Sequence, residues 1–207
     1  MATTPSAGDG QMNFPRSSRL AYSDMPMWSS QRTLPDSIGV KEAHYMRDII
    51  LGSLVPNVAL GYLQDDEVRT VMAVDLFAQG KSVILGVPGA FTPVCTKQHV
   101  PDFIANADKI IASGYRQLIC IAPNDPFALD IWHRSLDPQL KIRFLSDGNL
   151  KFCQALGLSM VRPDLFLGHR SERYFLIVHD GVIQHVRVEP NILSYACTRP
   201  EDVLTAT

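Results

Sequence analysis

The chain has no Cys-x-x-Cys pair: its four cysteines, Cys95, Cys120, Cys153 and Cys197, lie far apart. That spacing excludes a zinc ribbon and a dense disulfide framework. It also speaks against a disulfide reductase, whose attacking and resolving thiols share one short motif. No metal or other cofactor is expected. No apolar stretch approaches the ~18 to 20 residues needed to span a bilayer, and the N-terminus lacks the apolar core of a secretory signal. Neither sign of charge is in excess, with 19 Lys and Arg against 21 Asp and Glu for a net charge of -2. Nothing therefore marks a nucleic-acid or membrane partner, and small or neutral partners are expected in a cytoplasmic setting. Internal repeats and low-complexity tracts are absent too. What is present is core material, 46% hydrophobic residues over 207 positions, enough for one substantial domain.

Residues 1–47 are rich in Ser, Pro, Met and Gly and carry no sustained apolar period. They are expected to form an extension outside the core. Arg16, Arg19 and Arg32 would suit a mitochondrial transit segment, Asp9, Asp24 and Asp36 weigh against one, and a flexible tail is the simpler alternative. The domain is expected at 48–207.

Within it the periodicities alternate. Residues 57–63 and 68–71 suggest a strand pair joined through Gln64-Asp65-Asp66-Glu67, followed by a short helical turn over 74–79. A strand over 83–87 precedes a helix in which Phe103, Ala107, Ile110 and Ile111 recur up to Gly114. Pro101 should disturb its first turns, because it lacks an N–H and crowds the carbonyl four residues back. An apolar strand over 117–122 leads to Asn124-Asp125-Pro126 as a helix start, with Phe127, Ile131 and Trp132 on the helix. Phe127 and Trp132 are expected as core or interface anchors. A strand over 142–145 and a helix over 150–156 follow. Next come two strands, 174–178 and 182–188, flanking the hairpin signal Asp180-Gly181, and a closing helix begins at Pro200. The expected class is α/β, a mixed central sheet flanked by helices.

The turn between the third strand and its helix carries the chemistry. Thr92 is a good N-cap and Pro93 suits the first helical position, which places Cys95 in the first turn among unpaired N–H groups and the positive dipole end. Such a place favours a thiolate, the nucleophilic form. An ordinary small buried cysteine would fit the same position. His99 follows on the same side of the helix; alone with Cys95 it is too few ligands for a metal and is expected in a structural or subunit-contact role.

The run Pro88-Gly89-Ala90-Phe91-Thr92-Pro93-Val94-Cys95 resembles the Pro-x-x-x-Thr-x-x-Cys signature of peroxiredoxins. With His99, Pro101, Phe103, Asn124-Asp125-Pro126-Phe127, Trp132, Arg173-Tyr174 and Asp180-Gly181 it is similar to the peroxiredoxin-5, or type II, subfamily. The resemblance covers about residues 48–207. It implies a thioredoxin-like fold and a thiol-dependent peroxidase acting on hydrogen peroxide and organic hydroperoxides, with thioredoxin, glutaredoxin or glutathione as reductant and a homodimer as assembly. By the same resemblance Cys95 is the peroxidatic nucleophile, Arg173 the cation beside its sulfur, Thr92 a hydroxyl partner of sulfur or peroxide, and Pro88 a shield against water. A redox-sensing or partner-binding protein of the same fold, with little turnover, is the alternative.

Two positions match family resolving cysteines. Cys197 lies seven residues after Pro190, as in the animal-type two-cysteine enzymes, and Cys120 lies 25 residues after Cys95, a position plant-type members use or retain. Cys120 sits in an apolar strand, where a thiol is protonated and hard to reach; Cys197 sits in a loop, which can travel to meet a disulfide's geometry. Cys197 is favoured, with Cys120 or an external thiol as alternatives. The segment Asn191 to Ala196 is bulkier and poorer in glycine than expected for the animal-type family members, so a stiffer loop is anticipated. Cys153 is expected in the core.

Overall fold

A computed structural model describes residues 51–206. The proposed 1–47 extension lies outside the described residues. The first strand pair is a tight hairpin, β1 (Ala59–Gln64) and β2 (Glu67–Met72), paired antiparallel. Asp65 and Asp66, at φ 53° and 59°, occupy both central turn positions, the left-handed geometry that matches strand twist in two-residue hairpins. A short helix α1 (Ala73–Leu76) leads to β3 (Lys81–Gly86). A helical segment starting at Pro93 runs into α2 (Val100–Ala112). Then β4 (Gln117–Ala122), α3 (Pro126–Leu136), β5 (Arg143–Ser146) and α4 (Lys151–Ala155) alternate.

The sequence pattern did not reveal the next two elements. β6 (Ser159–Arg162) and β7 (Gly168–Ser171) form a separate two-stranded sheet around a single 3-10 turn over Pro163–Leu165. Of their eight residues only Ser171 is buried and the rest are half-buried or exposed, so neither carries the apolar alternation that identifies a strand. β8 (Tyr174–His179) and β9 (Val182–Val188) are the expected hairpin, turning at Asp180 and Gly181, both left-handed. A loop over 189–199 ends at α5 (Pro200–Thr205).

The seven main strands are ordered β2-β1-β5-β4-β3-β8-β9, with β3, β4 and β5 parallel and the other pairings antiparallel. β3, β4 and β8 are buried on both faces, which is why they read as unbroken apolar runs. Alternate residues feed two cores. Val83, Leu85, Cys120 and Phe175 pack with Phe103 and Ile110 of α2 and Trp132 of α3 on one face, while Ile84, Ile119, Ile121 and Leu176 pack with Phe77 and Phe152 on the other. On α3, Trp132 is the core anchor, fully buried, whereas Phe127 is 56% exposed and Ile131 also faces outward. Among the described residues no helix is long and apolar enough to cross a membrane.

Register positions the site. Gly86, the last residue of β3, pairs with Tyr174, the first of β8. A Cβ on Gly86 would fall on the Tyr174 ring, so the two strands close there only because residue 86 is glycine. Arg173, just before Tyr174, is thereby delivered to the loop that follows β3.

Candidate active site

The loop after β3 is built to present Cys95. Val87 and Pro88 remain buried, and the N–H of Val87 bonds to Ile121 of β4 at 3.1 Å. Asn124, expected as part of a helix cap, instead accepts the Ala90 N–H on Oδ1 at 2.7 Å; the cap of α3 is Asp125, whose Oδ1 accepts from Ala128 at 2.9 Å. Phe91 adopts φ 60° to turn the chain into the helix. Thr92 starts it through backbone alone, its carbonyl accepting the Thr96 N–H at 2.9 Å. Its hydroxyl makes no capping bond and donates to the Gly89 carbonyl at 2.8 Å, which corrects the expected side-chain cap. That bond spends the hydroxyl proton on the loop and leaves oxygen lone pairs to accept from a ligand.

The disturbance expected at Pro101 takes the form of a π-helical turn over Cys95–His99. The Val100 N–H bonds to the Cys95 carbonyl five residues back, and the widened turn precedes the proline that cannot donate. Cys95 and His99 share the buried face of this turn. Thr96 accepts from Trp132 Nε1 at 3.2 Å, tying the turn to α3.

Arg173, the residue before β8, completes the site. Its Nη1 lies 3.2 Å from Cys95 Sγ and 3.2 Å from His99 Nδ1. Its Nη2 donates to the Ile192 carbonyl at 2.9 Å and its Nε to the Ser194 carbonyl at 3.1 Å. The side chain is 2% exposed, and these bonds replace the hydration that burial removes. A guanidinium only donates, so His99 Nδ1 is the acceptor and the ring is neutral with its proton on Nε2. Burial, reinforced by the Arg173 charge and opposed by the Thr198 backbone, lowers its pKa from 6.5 to about 3. The His99 ring is flanked by Phe103, edge-on at 5.5 Å, and by Tyr195, tilted at 5.4 Å. His99 thus holds Arg173, a part that the spacing to Cys95 suggested only as far as a shared helix face.

The four cysteines are free thiols. Cys120 lies in β4 between Leu85 of β3 and Phe144 of β5. Burial first, then the neighbouring Cys95, pushes its thiol well up, against the opposing charge of Arg173. Cys153 is buried in α4, and burial followed by the Asp147 charge pushes it up to about 12. Cys197 is only partly buried in the loop after β9, with Sγ 3.4 Å from the Val188 carbonyl. That loop is held by Glu189, whose Oε1 accepts from the N–H groups of Ala196, Cys197 and Thr198 and from the Thr198 hydroxyl, each at 2.9 Å. An apolar cavity of about 260 Å³ opens beside the cysteine turn, lined by Thr92, Pro93, Val94, Leu165, Leu167, Arg173, Ile192 and Leu193.

The chain has counterparts among known proteins. The Redoxin family profile matches residues 50–201. Peroxiredoxin-2D of Arabidopsis thaliana is 34% identical over 162 residues, covering 78% of this chain and 99% of that protein. The chloroplastic Peroxiredoxin-2E-2 of Oryza sativa subsp. japonica is 39% identical over 146 residues, 68% of this chain and 65% of that one. Among solved structures, reduced Prx3 from Vibrio vulnificus in complex with hydrogen peroxide superposes with a TM-score of 0.71 at 34% identity, covering 75% of this chain and 97% of that one. The mixed sheet described above is accordingly the thioredoxin-like fold of that family, and the chain belongs to the peroxiredoxins, the thiol-dependent peroxidases of antioxidant defence.

Proposed function

We propose that Cys95 is the peroxidatic nucleophile and Arg173 the cation that serves it, and the observation that carries this is the 3.2 Å approach of Nη1 to Sγ inside a buried pocket. The Cys95 thiolate attacks the terminal oxygen of a hydroperoxide. The S–O bond forms as the O–O bond breaks, and the departing oxygen takes a proton to leave as water or an alcohol, so sulfur is oxidised to sulfenic acid and peroxide is reduced. Arg173 stabilises negative charge on sulfur and on the splitting O–O bond. Thr92 receives the peroxide on its free lone pairs, the first N–H groups of the helix supply further donors, and buried Pro88 keeps water off the sulfur. The apolar cavity beside Thr92 suits the organic part of an organic hydroperoxide, while hydrogen peroxide needs only the polar end.

Cys197 resolves the sulfenic acid: its sulfur bonds to Cys95 sulfur and water leaves. The support is access, since Cys197 is partly exposed on a loop whereas Cys120 is buried and paired on both sides. Thioredoxin, glutaredoxin or glutathione then reduces the disulfide. The protein works as a homodimer, and Phe91, Phe127 and Ile131 provide exposed apolar surface for it. It acts in the cytoplasm, or in mitochondria if residues 1–47 direct import.

The test is stopped-flow oxidation of the reduced chain by one equivalent of peroxide, followed by non-reducing peptide mass spectrometry. A Cys95–Cys197 link that an added thiol reductant turns over supports the full cycle. Unchanged peroxide consumption in Cys95→Ser would remove the nucleophile assignment, and oxidation without turnover would favour a sensor.

A further inference from the structure

Glu189 is a buried acid that the chemistry above does not use. It is 5% exposed, and among the described residues no Lys or Arg side chain pairs with it. Taking a carboxylate out of water without a cation is costly unless donors replace its hydration. Three consecutive backbone N–H groups and one hydroxyl do so for Oε1, while Oε2 is buried with no hydrogen-bond partner among the described residues, so the acid's hold on the loop is concentrated on one oxygen. The residue is held at its other end too, because its own N–H donates to the Arg173 carbonyl at 2.9 Å. Between these attachments run Ile192 and Ser194, whose carbonyls hold the Arg173 guanidinium. Glu189, the loop and Arg173 therefore form a closed ring of hydrogen bonds, with Cys197 inside the fastened segment and Cys95 against the guanidinium.

We propose that Glu189 is a positioning residue that couples the two half-reactions at this site. With its bonds made, the loop keeps the Ile192 and Ser194 carbonyls on Arg173, and Arg173 stays on Cys95 for attack on peroxide. With its bonds broken, the segment 196–198 is released and Cys197 can travel to Cys95. A cavity of about 230 Å³ is lined by Arg173 and by Glu189, Pro190, Asn191 and Ile192, so the first part of the loop is not closely packed where it meets the guanidinium. The opening half of this coupling rests on Cys197 being the resolving thiol; the positioning half does not.

The consequence is a pair of effects of opposite sign. Loosening Glu189 should slow sulfenic acid formation at Cys95, because the guanidinium loses its anchors, and should speed the Cys95–Cys197 condensation, because the thiol is freed. Each change should be about tenfold or more, as expected when hydrogen bonds to a charged group are lost. General weakening of the fold would slow both steps together. The experiment uses the full chain as wild type, Glu189→Ala, Glu189→Gln and Thr198→Val, each alone and with Cys197→Ser. Hydrogen peroxide is mixed in by stopped flow, and samples are quenched with a thiol-blocking reagent for mass spectrometry. Glu189→Ala and Thr198→Val should show a slower first step and a faster second, with Glu189→Gln between them and wild type. Thr198→Val removes one of the four bonds, so it carries the test if Glu189→Ala does not fold. Both steps slowed, or neither changed, overturns the proposal. If wild type forms no Cys95–Cys197 link, the resolving assignment and the opening half fall together. In that case a first step slowed by Glu189→Ala beside Cys197→Ser upholds the positioning half, and an unchanged one ends it.

Discussion

Arg173 holds one nitrogen, Nη1, 3.2 Å from the sulfur of Cys95, and it is not free to leave. The same nitrogen reaches His99, and Nη2 and Nε donate to the carbonyls of Ile192 and Ser194. A buried guanidinium that swung away would strand several donors at once, so the cation is aligned before any peroxide arrives.

Replacing Arg173 by Lys tests whether charge or geometry matters. An ammonium is a compact point that cannot reach a sulfur, a histidine and two carbonyls together. Arg173→Lys should lower the second-order rate of Cys95 oxidation by about 10² to 10³, the scale for removing a preorganised charge-stabilising donor. Stopped-flow rates within twofold of wild type would show that a nearby positive charge suffices.

Thr92 offers a sharper substitution. Thr92→Val keeps the shape and deletes the hydroxyl that satisfies the Gly89 carbonyl, whereas Thr92→Ser keeps the bond. The valine variant should lose about 1 kcal/mol of stability and about tenfold or more in peroxide rate, with the serine variant close to wild type. Equal peroxide rates for the two variants would reduce Thr92 to a structural part of the turn.

His99 makes the protein sensitive to acid. Above pH 6.5 its ring is neutral whether the chain is folded or unfolded, and it contributes no pH dependence. Below pH 6.5 the unfolded chain takes up a proton that the folded ring refuses until about pH 3, so stability present at neutral pH is lost as pH falls across that window. The slope is at most about 1.4 kcal/mol per pH unit for this one group. His133 and His185, also lowered by burial, act in the same direction. Urea midpoints should therefore fall between pH 7 and pH 5, and His99→Asn should flatten part of that fall. An identical slope in His99→Asn would contradict the buried neutral ring.

Gly86→Ala should be costly although it adds one methyl. The new carbon falls on the ring of Tyr174, fully buried in the second core, and neither strand can shift without breaking the sheet. A loss of about 1 to 3 kcal/mol is expected, typical of overpacking, and chemical denaturation would measure it. A midpoint equal to wild type would mean that β3 and β8 can part at that end.

Much of this was legible from local pattern. β3, β4 and β8 are covered on both faces, so their apolar runs stand out. The Asp65-Asp66 and Asp180-Gly181 turns are written in residues that accept positive φ. Boundaries moved by a residue or two, as with β5, expected at 142–145 and found at Arg143–Ser146. β6 and β7 were not legible, because short strands with almost no buried residue lack periodic burial. Nor were the exposed places of Phe127 and Ile131, since a helical stripe does not say which side meets the core.

The candidate site divides in the same way. Sequence by itself determined that a cysteine would sit in the first turn of a helix after a buried strand, because caps, proline and apolar periodicity act over a few residues. Tertiary structure decided what surrounds it, and Arg173 was reached from the sequence only through the family resemblance. Arg173 lies 78 positions from Cys95, and only the pairing of Gly86 with Tyr174 brings it to the sulfur. His99 accepts from Arg173, and Glu189 gathers the Cys197 loop, through hydrogen bonds that depend on burial and on backbone groups with no residue signature. Such contacts are set by how strands register and loops close, and no local preference encodes them.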